Sequence, residues 1–265
     1  MDLSERSETA ASRHPWELAR TRFLLDVLLD HRVLASEGGR RLRVLDAGAG
    51  DAYFAGELTL RFPDIDVTLW DAHYRDSDIA SLRARGFHAT AARPEGPFDV
   101  VVLLDVLEHV DADGAFLHEL LALAGTDARL LFSVPAWPLL WSQHDVALQH
   151  HRRYRPSEAR ARLAEAGLRL IESGGVFHGL VLPRALAVMV ESLFSLASAS
   201  GPPADAHTVS APTGLGAWRG GPRFTGAITR ALMAEQRLSR MFSRAGLDVP
   251  GLSFWALAER GSVRP

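Results

Sequence analysis

Leu42-Arg43-Val44-Leu45-Asp46-Ala47-Gly48-Ala49-Gly50 decides the fold. A short apolar run ending on an acid reads as a buried strand, and the glycines after it mark a tight turn where backbone approaches a ligand. A helix is expected from about Ala52 to Arg61. Outward from this unit the pattern repeats. Asp66 to Asp71 reads as a second strand, Asp78 to Arg85 as a helix closed at Gly86, and Phe87 to Thr90 as a short strand. Phe98 to Leu104 is a continuous apolar run, as in a parallel strand covered on both faces. A helix over Asp113 to Ala124 and a strand over Arg129 to Val134 follow, then a helix over Ser157 to Ala166 and a strand over Leu168 to Ser173. Before the first strand, Pro15 opens a helix carrying Trp16, Ala19, Phe23, Val27 and Leu28 on one stripe. Alternating strands and helices predict an α/β protein with a doubly wound, Rossmann-like parallel sheet. Ligands of such sheets bind beyond the C-terminal strand ends. The loops at 46–53, 71–75, 105–110 and 135–155 lie there.

The composition narrows the chemistry. All 29 basic residues are arginine, and the chain has no lysine, cysteine or asparagine. Schiff-base chemistry, a P-loop lysine, thiolate catalysis, disulfides and Cys-ligated metal are therefore excluded. GC-rich codon usage accounts for the missing lysine and asparagine. A net charge of −3 argues against a nucleic-acid binder. Met1 to His14 reads as a flexible tail without an apolar signal-peptide core, which makes the expected location cytoplasmic. Residues 15–265 read as a single domain. Gly174 to Leu247 lacks clear alternation. Its apolar stretch, Leu180 to Ala199, is interrupted by Pro183, Arg184 and Glu191 and so is not expected to span a membrane. It reads as a lid over an apolar acceptor, as core packing or a homodimer surface, or as a membrane contact. Residues 200–223 are expected to loop, and Thr225 to Ala245 to be helical.

The glycine-rich loop indicates its ligand by charge. A dinucleotide loop needs a third glycine where Tyr53 stands, and Asp46 and Asp51 repel phosphate. An acid at Asp46 suits a cation. Asp71, 25 residues later and ending the second strand, can accept both hydroxyls of a ribose. A ribose with positive charge and no phosphate describes S-adenosylmethionine (SAM).

Val44 to Ala52 resembles the first motif of class I SAM-dependent methyltransferases. Trp70-Asp71-Ala72 resembles the second, and Phe98 to Val110 the fourth, with Leu130 to Pro135 placed like the fifth strand. The resemblance covers residues 40–175 and the final strand near Gly251 to Arg260. It implies seven strands with the last antiparallel, and a mostly helical substrate-side insertion at 174–250 between strands six and seven. The cofactor set becomes Asp46, Gly48, Ala49, Gly50, Tyr53, Asp71, Ala72, Asp105 and Val106, with S-adenosylhomocysteine (SAH) as product. Adenine is expected to rest on backbone groups and apolar packing, because Ala89 to Arg93 contains no acid.

Methyl transfer to oxygen or nitrogen needs a base, and histidine is best matched to neutral pH. His73, His109, His144, His150, His151 and His178 lie at the ligand end. The segment from Trp137 to Tyr154 resembles a WS-x-HD…H-x-RRY pattern seen in a branch of these enzymes. It nominates His144 as base, oriented by Asp145 or another acid, with His109 as a further catalytic candidate. Trp137, Trp141, His150, His151, Arg153 and Tyr154 would bind substrate. The alternative is a segment that only folds back, its arginines paired to carboxylates. The spacing of His144, Asp145, His150 and His151 gives no clear ligand geometry, so no metal is assigned. The expected activity is SAM-dependent methylation of an O or N atom, less readily C, on a small or medium-sized, partly apolar molecule such as a secondary metabolite. The alternatives are a lipid-linked, quinone or glycan precursor as acceptor, and a SAM- or SAH-binding regulatory or scaffold protein that transfers nothing.

Overall fold

The computed structural model describes residues 13–35, 39–198, 218, 220–245, 247 and 249–261. In chain order the main elements are α1 (Pro15–Asp30), β1 (Leu42–Ala47), α2 (Tyr53–Arg61), β2 (Ile65–Trp70), α3 (Asp76–Ala84), β3 (His88–Thr90), β4 (Phe98–Leu104), α4 (Asp113–Leu121), β5 (Ala124–Pro135), α5 (Gln143–Ala147), α6 (Pro156–Glu165), β6 (Leu168–Val176), α7 (Val181–Ser198), α8 (Pro222–Arg244) and β7 (Ser253–Arg260). They build one seven-stranded sheet in the order β3-β2-β1-β4-β5-β7-β6. Pairing is parallel from β3 through β5, and β7 runs antiparallel to both β5 and β6. The expected seven strands, the reversed last strand and the helical insertion before it are all present.

Period-two alternation explains the continuous apolar strands. On β4, Val100, Val102 and Leu104 face a core shared with Phe23, Leu28, Leu58 and Trp255. Val101 and Leu103 face the opposite core with Leu117, Leu120, Leu163 and Phe254. A strand buried on both faces has no polar side, so it reads as one run. In the first core Phe23 meets Trp255 edge-on, with ring centroids 5.1 Å apart. Helices α1 and α8 pack on each other over this face. Arg240 of α8 fastens them by pairing with Asp30 of α1 and Glu172 of β6, both at 2.6 Å.

Several boundaries differ from expectation. Helix α4 stops at Leu121 rather than Ala124, because Ala124 already pairs with Phe98 as the start of a long β5 whose register shifts between Phe98 and Val100. Helix α3 starts at Asp76 rather than Asp78, since the Asp78 carboxylate caps it by accepting from the Arg75 N–H at 3.0 Å. Residues 1–12 of the expected tail lie outside the described residues, but Arg13 and His14 are engaged. Arg13 is buried and pairs with Glu17 and Asp51, and the His14 ring accepts from the Trp16 N–H. The loop expected at 200–223 lies mostly outside the described residues. Among the described residues no helix is long and apolar enough to cross a membrane.

Candidate active site

The strand order reverses between β1 and β4, and a cavity of about 740 Å³ opens beyond their C-terminal ends. Gly48 after β1, Asp71, Ala72 and His73 after β2, and Asp105 and Val106 after β4 form one side. Trp70, Val110 and Phe116 add apolar surface, and His109, Gln149, His150 and His151 with Leu148 close the other side.

Each group on the first side is held for a physical reason. Gly48 has φ +70, and a Cβ there would lie 2.3 Å from Val106 Cγ2. Only glycine keeps this stretch of wall open. The Asp71 carboxylate accepts from the Gly50 N–H at 3.1 Å and the His73 N–H at 2.9 Å, which fixes it at the rim. Each of its oxygens keeps lone-pair capacity for a ligand hydroxyl. Asp46 is fully buried, and burial, reinforced by Asp71 and Asp51, pushes its carboxyl up to about 7. Trp70 presents a buried Nε1–H with no partner beside the cavity.

Helix α1 also reaches this end, which local reading of the loops could not reveal. Arg13 bridges Glu17 and Asp51, and its guanidinium lies 3.8 Å over the Tyr53 ring. Arg20 pairs with Asp105, whose Oδ1 also accepts from Ser133 Oγ at 2.7 Å. Asp51 and Asp105 lie dozens of residues from their arginines, and nothing in the α1 stripe signals these pairings.

The histidine side differs most from expectation. Asp145 is completely buried and does not orient His144. It accepts from His150 Nδ1 at 3.0 Å, Arg153 Nε at 2.7 Å, Arg184 Nη2 at 2.9 Å and the Ser142 N–H at 3.0 Å. Burial works against its charge, but His150, Arg153 and Ser142 outweigh that and hold the carboxyl far below the usual range. His144 lies outside the cavity wall, with Nδ1 buried and unpartnered. Burial, aided by Arg184, lowers its basicity. His109 and His150 do line the cavity, and their rings meet edge-on at 4.6 Å and 83°. Glu108 sits behind them, 1% exposed, with neither carboxylate oxygen hydrogen-bonded. Burial pushes Glu108 up to about 8.

Of the other expected substrate residues, His151 is in the wall, and four take supporting positions. Trp137 donates from Nε1 to the Gly251 carbonyl at 2.8 Å, away from the cavity. Tyr154 is buried and donates to Asp113 at 2.9 Å. Arg153 joins Asp145 to the Ala136 carbonyl. Trp141 is half-buried outside the wall. The folding-back alternative therefore describes Arg153 and Tyr154, while His150 and His151 reach the ligand space. In the cofactor set, Gly48, Asp71, Ala72, Asp105 and Val106 line the cavity, whereas Asp46, Ala49, Gly50 and Tyr53 support it from behind. Tyr53 is turned under Arg13. Helix α7 docks on the 140–145 segment through Arg184, which donates to Ser142 Oγ and Asp145, and it does not line this cavity. Its Leu182, Leu186, Met189 and Leu193 are exposed.

Residues 17–173 match the family model described as a methyltransferase domain. No curated protein matches the chain. Among solved structures, the chain is similar to a protein described as a candidate sarcosine dimethylglycine methyltransferase from Galdieria sulphuraria, with 15% identity and a TM-score of 0.54 over 92% of this chain and 86% of that one. It is also similar to the plantazolicin methyltransferase BpumL, solved with a triazolic desmethylPZN analog and SAH, with 10% identity and a TM-score of 0.51 over 92% and 85%. The [4+2]-cyclase SpnF is similar as well, with 16% identity and a TM-score of 0.51 over 96% and 85%. At these identities the likeness establishes the fold. The cyclase among them shows that the fold alone does not set the chemistry.

Proposed function

This chain belongs to the methyltransferase-domain family, and from that premise we propose that it transfers the methyl group of SAM to an oxygen or nitrogen atom of a small or medium-sized, partly apolar molecule. One observation carries the reading. A single cavity joins a ribose-competent carboxylate, Asp71, and an open glycine wall at Gly48 to an imidazole wall at His109, His150 and His151. Donor and acceptor can therefore meet in one space.

The donor side fits the cofactor. Asp71 offers lone pairs at the rim, Gly48 leaves room for close approach, and the Trp70 Nε1–H offers an unspent donor. When bound, SAM supplies a methyl group on a positive sulfur, which leaves as a neutral thioether when the acceptor attacks in line. The chain's own task is to hold the two reactants in line and receive the acceptor's proton. Val106, Val110, Phe116 and Leu148 give the acceptor an apolar bed. His150 meets the acceptor heteroatom. Asp145, ionised beside Arg153 and Arg184, can only accept, so the Nδ1 of His150 carries the hydrogen and Nε2 of the neutral ring presents a lone pair. His150 thus takes the place that sequence adjacency assigns to His144.

Calorimetric titration with SAM, SAH and NAD tests the donor side. Micromolar SAM and SAH binding with no response to NAD is expected, and the reverse would overturn the reading. An acceptor screen with methyl-labelled SAM tests transfer. SAM binding with no labelled product across hydroxyl and amine acceptors would favour a SAM-binding regulator instead.

A further inference from the structure

We propose that Glu108, His109 and His150 form a binding site for a divalent first-row transition-metal ion on the acceptor side of the cavity. One donor atom from each lies within 4.8 Å of the others. Two imidazoles and a carboxylate form a donor set suited to zinc, iron(II) or cobalt(II) rather than to magnesium or calcium, which favour all-oxygen shells.

Three further observations support the assignment. Both oxygens of Glu108 are buried and lack any hydrogen-bond partner, a costly arrangement for a carboxyl group. A bound cation would satisfy them. His150 already has the outer support of a metal-binding histidine, since Nδ1 is held by Asp145 at 3.0 Å and Nε2 remains as the ligating nitrogen. Asp145 is itself fixed by Arg153 and Arg184, so the imidazole is oriented before any ion arrives. Finally, His109 and His150 line the cavity while Glu108 lies behind them, so the open coordination positions face the acceptor.

Charge does not oppose the site. The neighbouring arginines are neutralised elsewhere, Arg20 against Asp105 and Arg153 against Asp145. Bonds of about 2.0–2.1 Å would set tetrahedral donors about 3.3 Å apart, so the side chains need close by only about 1.5 Å. With an ion bound, His150 Nε2 serves as a ligand instead of as the base, and the ion would hold the acceptor heteroatom and lower the pKa of its proton, which passes to solvent before attack. That catalytic part rests on the methyl-transfer reading above, whereas ion binding does not.

The test is titration of the purified full chain with Co²⁺, followed by visible absorption, beside a separate SAH titration. One Co²⁺ per chain with ligand-field bands of a four- or five-coordinate ion is expected. Glu108→Gln and His150→Ala each remove a proposed ligand and should weaken Co²⁺ binding by at least the roughly 100-fold that loss of an outer-shell partner can cost. His144→Ala, which lies outside the donor set, should bind as the unaltered chain does. Glu108→Gln replaces a carboxylate without hydrogen-bond partners and so tests the site even where His150→Ala perturbs folding. Absence of stoichiometric Co²⁺ binding, or binding that survives Glu108→Gln and a His109→Ala/His150→Ala pair, overturns the site. If Co²⁺ fails while SAH binds, the methyltransferase reading stands without the metal. If Co²⁺ binds and SAH does not, the site stands and the donor assignment falls.

Discussion

His150 donates from Nδ1 to Asp145 Oδ1 at 3.0 Å, although His144 is the histidine adjacent to Asp145 in sequence. Side chains of consecutive helix residues point about 100° apart and do not face each other, so adjacency within α5 separates His144 from Asp145. His150 lies beyond the end of α5, and the chain turns it back onto that carboxylate. It lies in the cavity wall, where His144 does not.

The first prediction contrasts these two histidines. His150→Ala should lower kcat on the order of 100-fold or more while leaving SAM affinity unchanged, because Asp145 keeps Arg153, Arg184 and Ser142 and holds the loop. His144→Ala should change neither by more than a few-fold. Steady-state kinetics beside SAM titration of both variants checks this, and a kcat loss confined to His144→Ala would reverse the assignment.

The contrast also shows which parts of the site could be read from sequence. The placement of Gly48 and Asp71 at the cavity was legible because its determinants are local. Gly48 and Gly50 sit between a strand and a helix, and Asp71 ends the next strand, so position along the chain gives position in space. The wall around His150 is built across distance. Asp145 collects Arg184 from α7, 39 residues on, and His150 from the following loop. Arg20 reaches Asp105 from a helix that reads as a simple core stripe. Such partnerships leave no periodic signal. Trp137 and Tyr154 mislead in the other direction, since aromatic and arginine-rich composition predicts a pocket wall equally well for side chains that face the interior.

Gly48→Ala tests whether the open wall is a requirement. The new methyl would meet Val106 Cγ2 at 2.3 Å, and the backbone would be held at φ +70. Left-handed geometry costs roughly 1–2 kcal/mol and overpacking about 1–3 kcal/mol, so the substitution should destabilise the fold by roughly 2–5 kcal/mol and weaken SAM binding. Gly48→Ala/Val106→Ala should recover the overpacking share and retain the backbone share. Denaturant melts of the two single variants and the pair measure that coupling. Strict additivity would mean that the Val106 contact does not set the wall.

Asp46 provides the pH dependence. Its carboxyl titrates near 7 in the fold because burial disfavours the charge, against about 4 in an unfolded chain. A raised carboxyl pKa means that the folded chain holds a proton the unfolded chain has lost. This contribution to stability is fully present below about pH 4 and disappears as pH rises through 7. Ligand-free protein should therefore lose stability over that window, and Asp46→Asn should remove this slope and be the more stable form at pH 8. Cofactor binding should run the opposite way. A cationic donor favours the ionised carboxylate, so SAM affinity should rise with pH up to about 7, by at most about tenfold per unit, and level off above it. Asp46→Asn should bind SAM more weakly at pH 8 and show no such slope. Melting curves and SAM titrations from pH 5 to 9 on both proteins check the two signs together. A pH-independent SAM affinity in the unaltered chain would show that the Asp46 charge does not reach the cofactor.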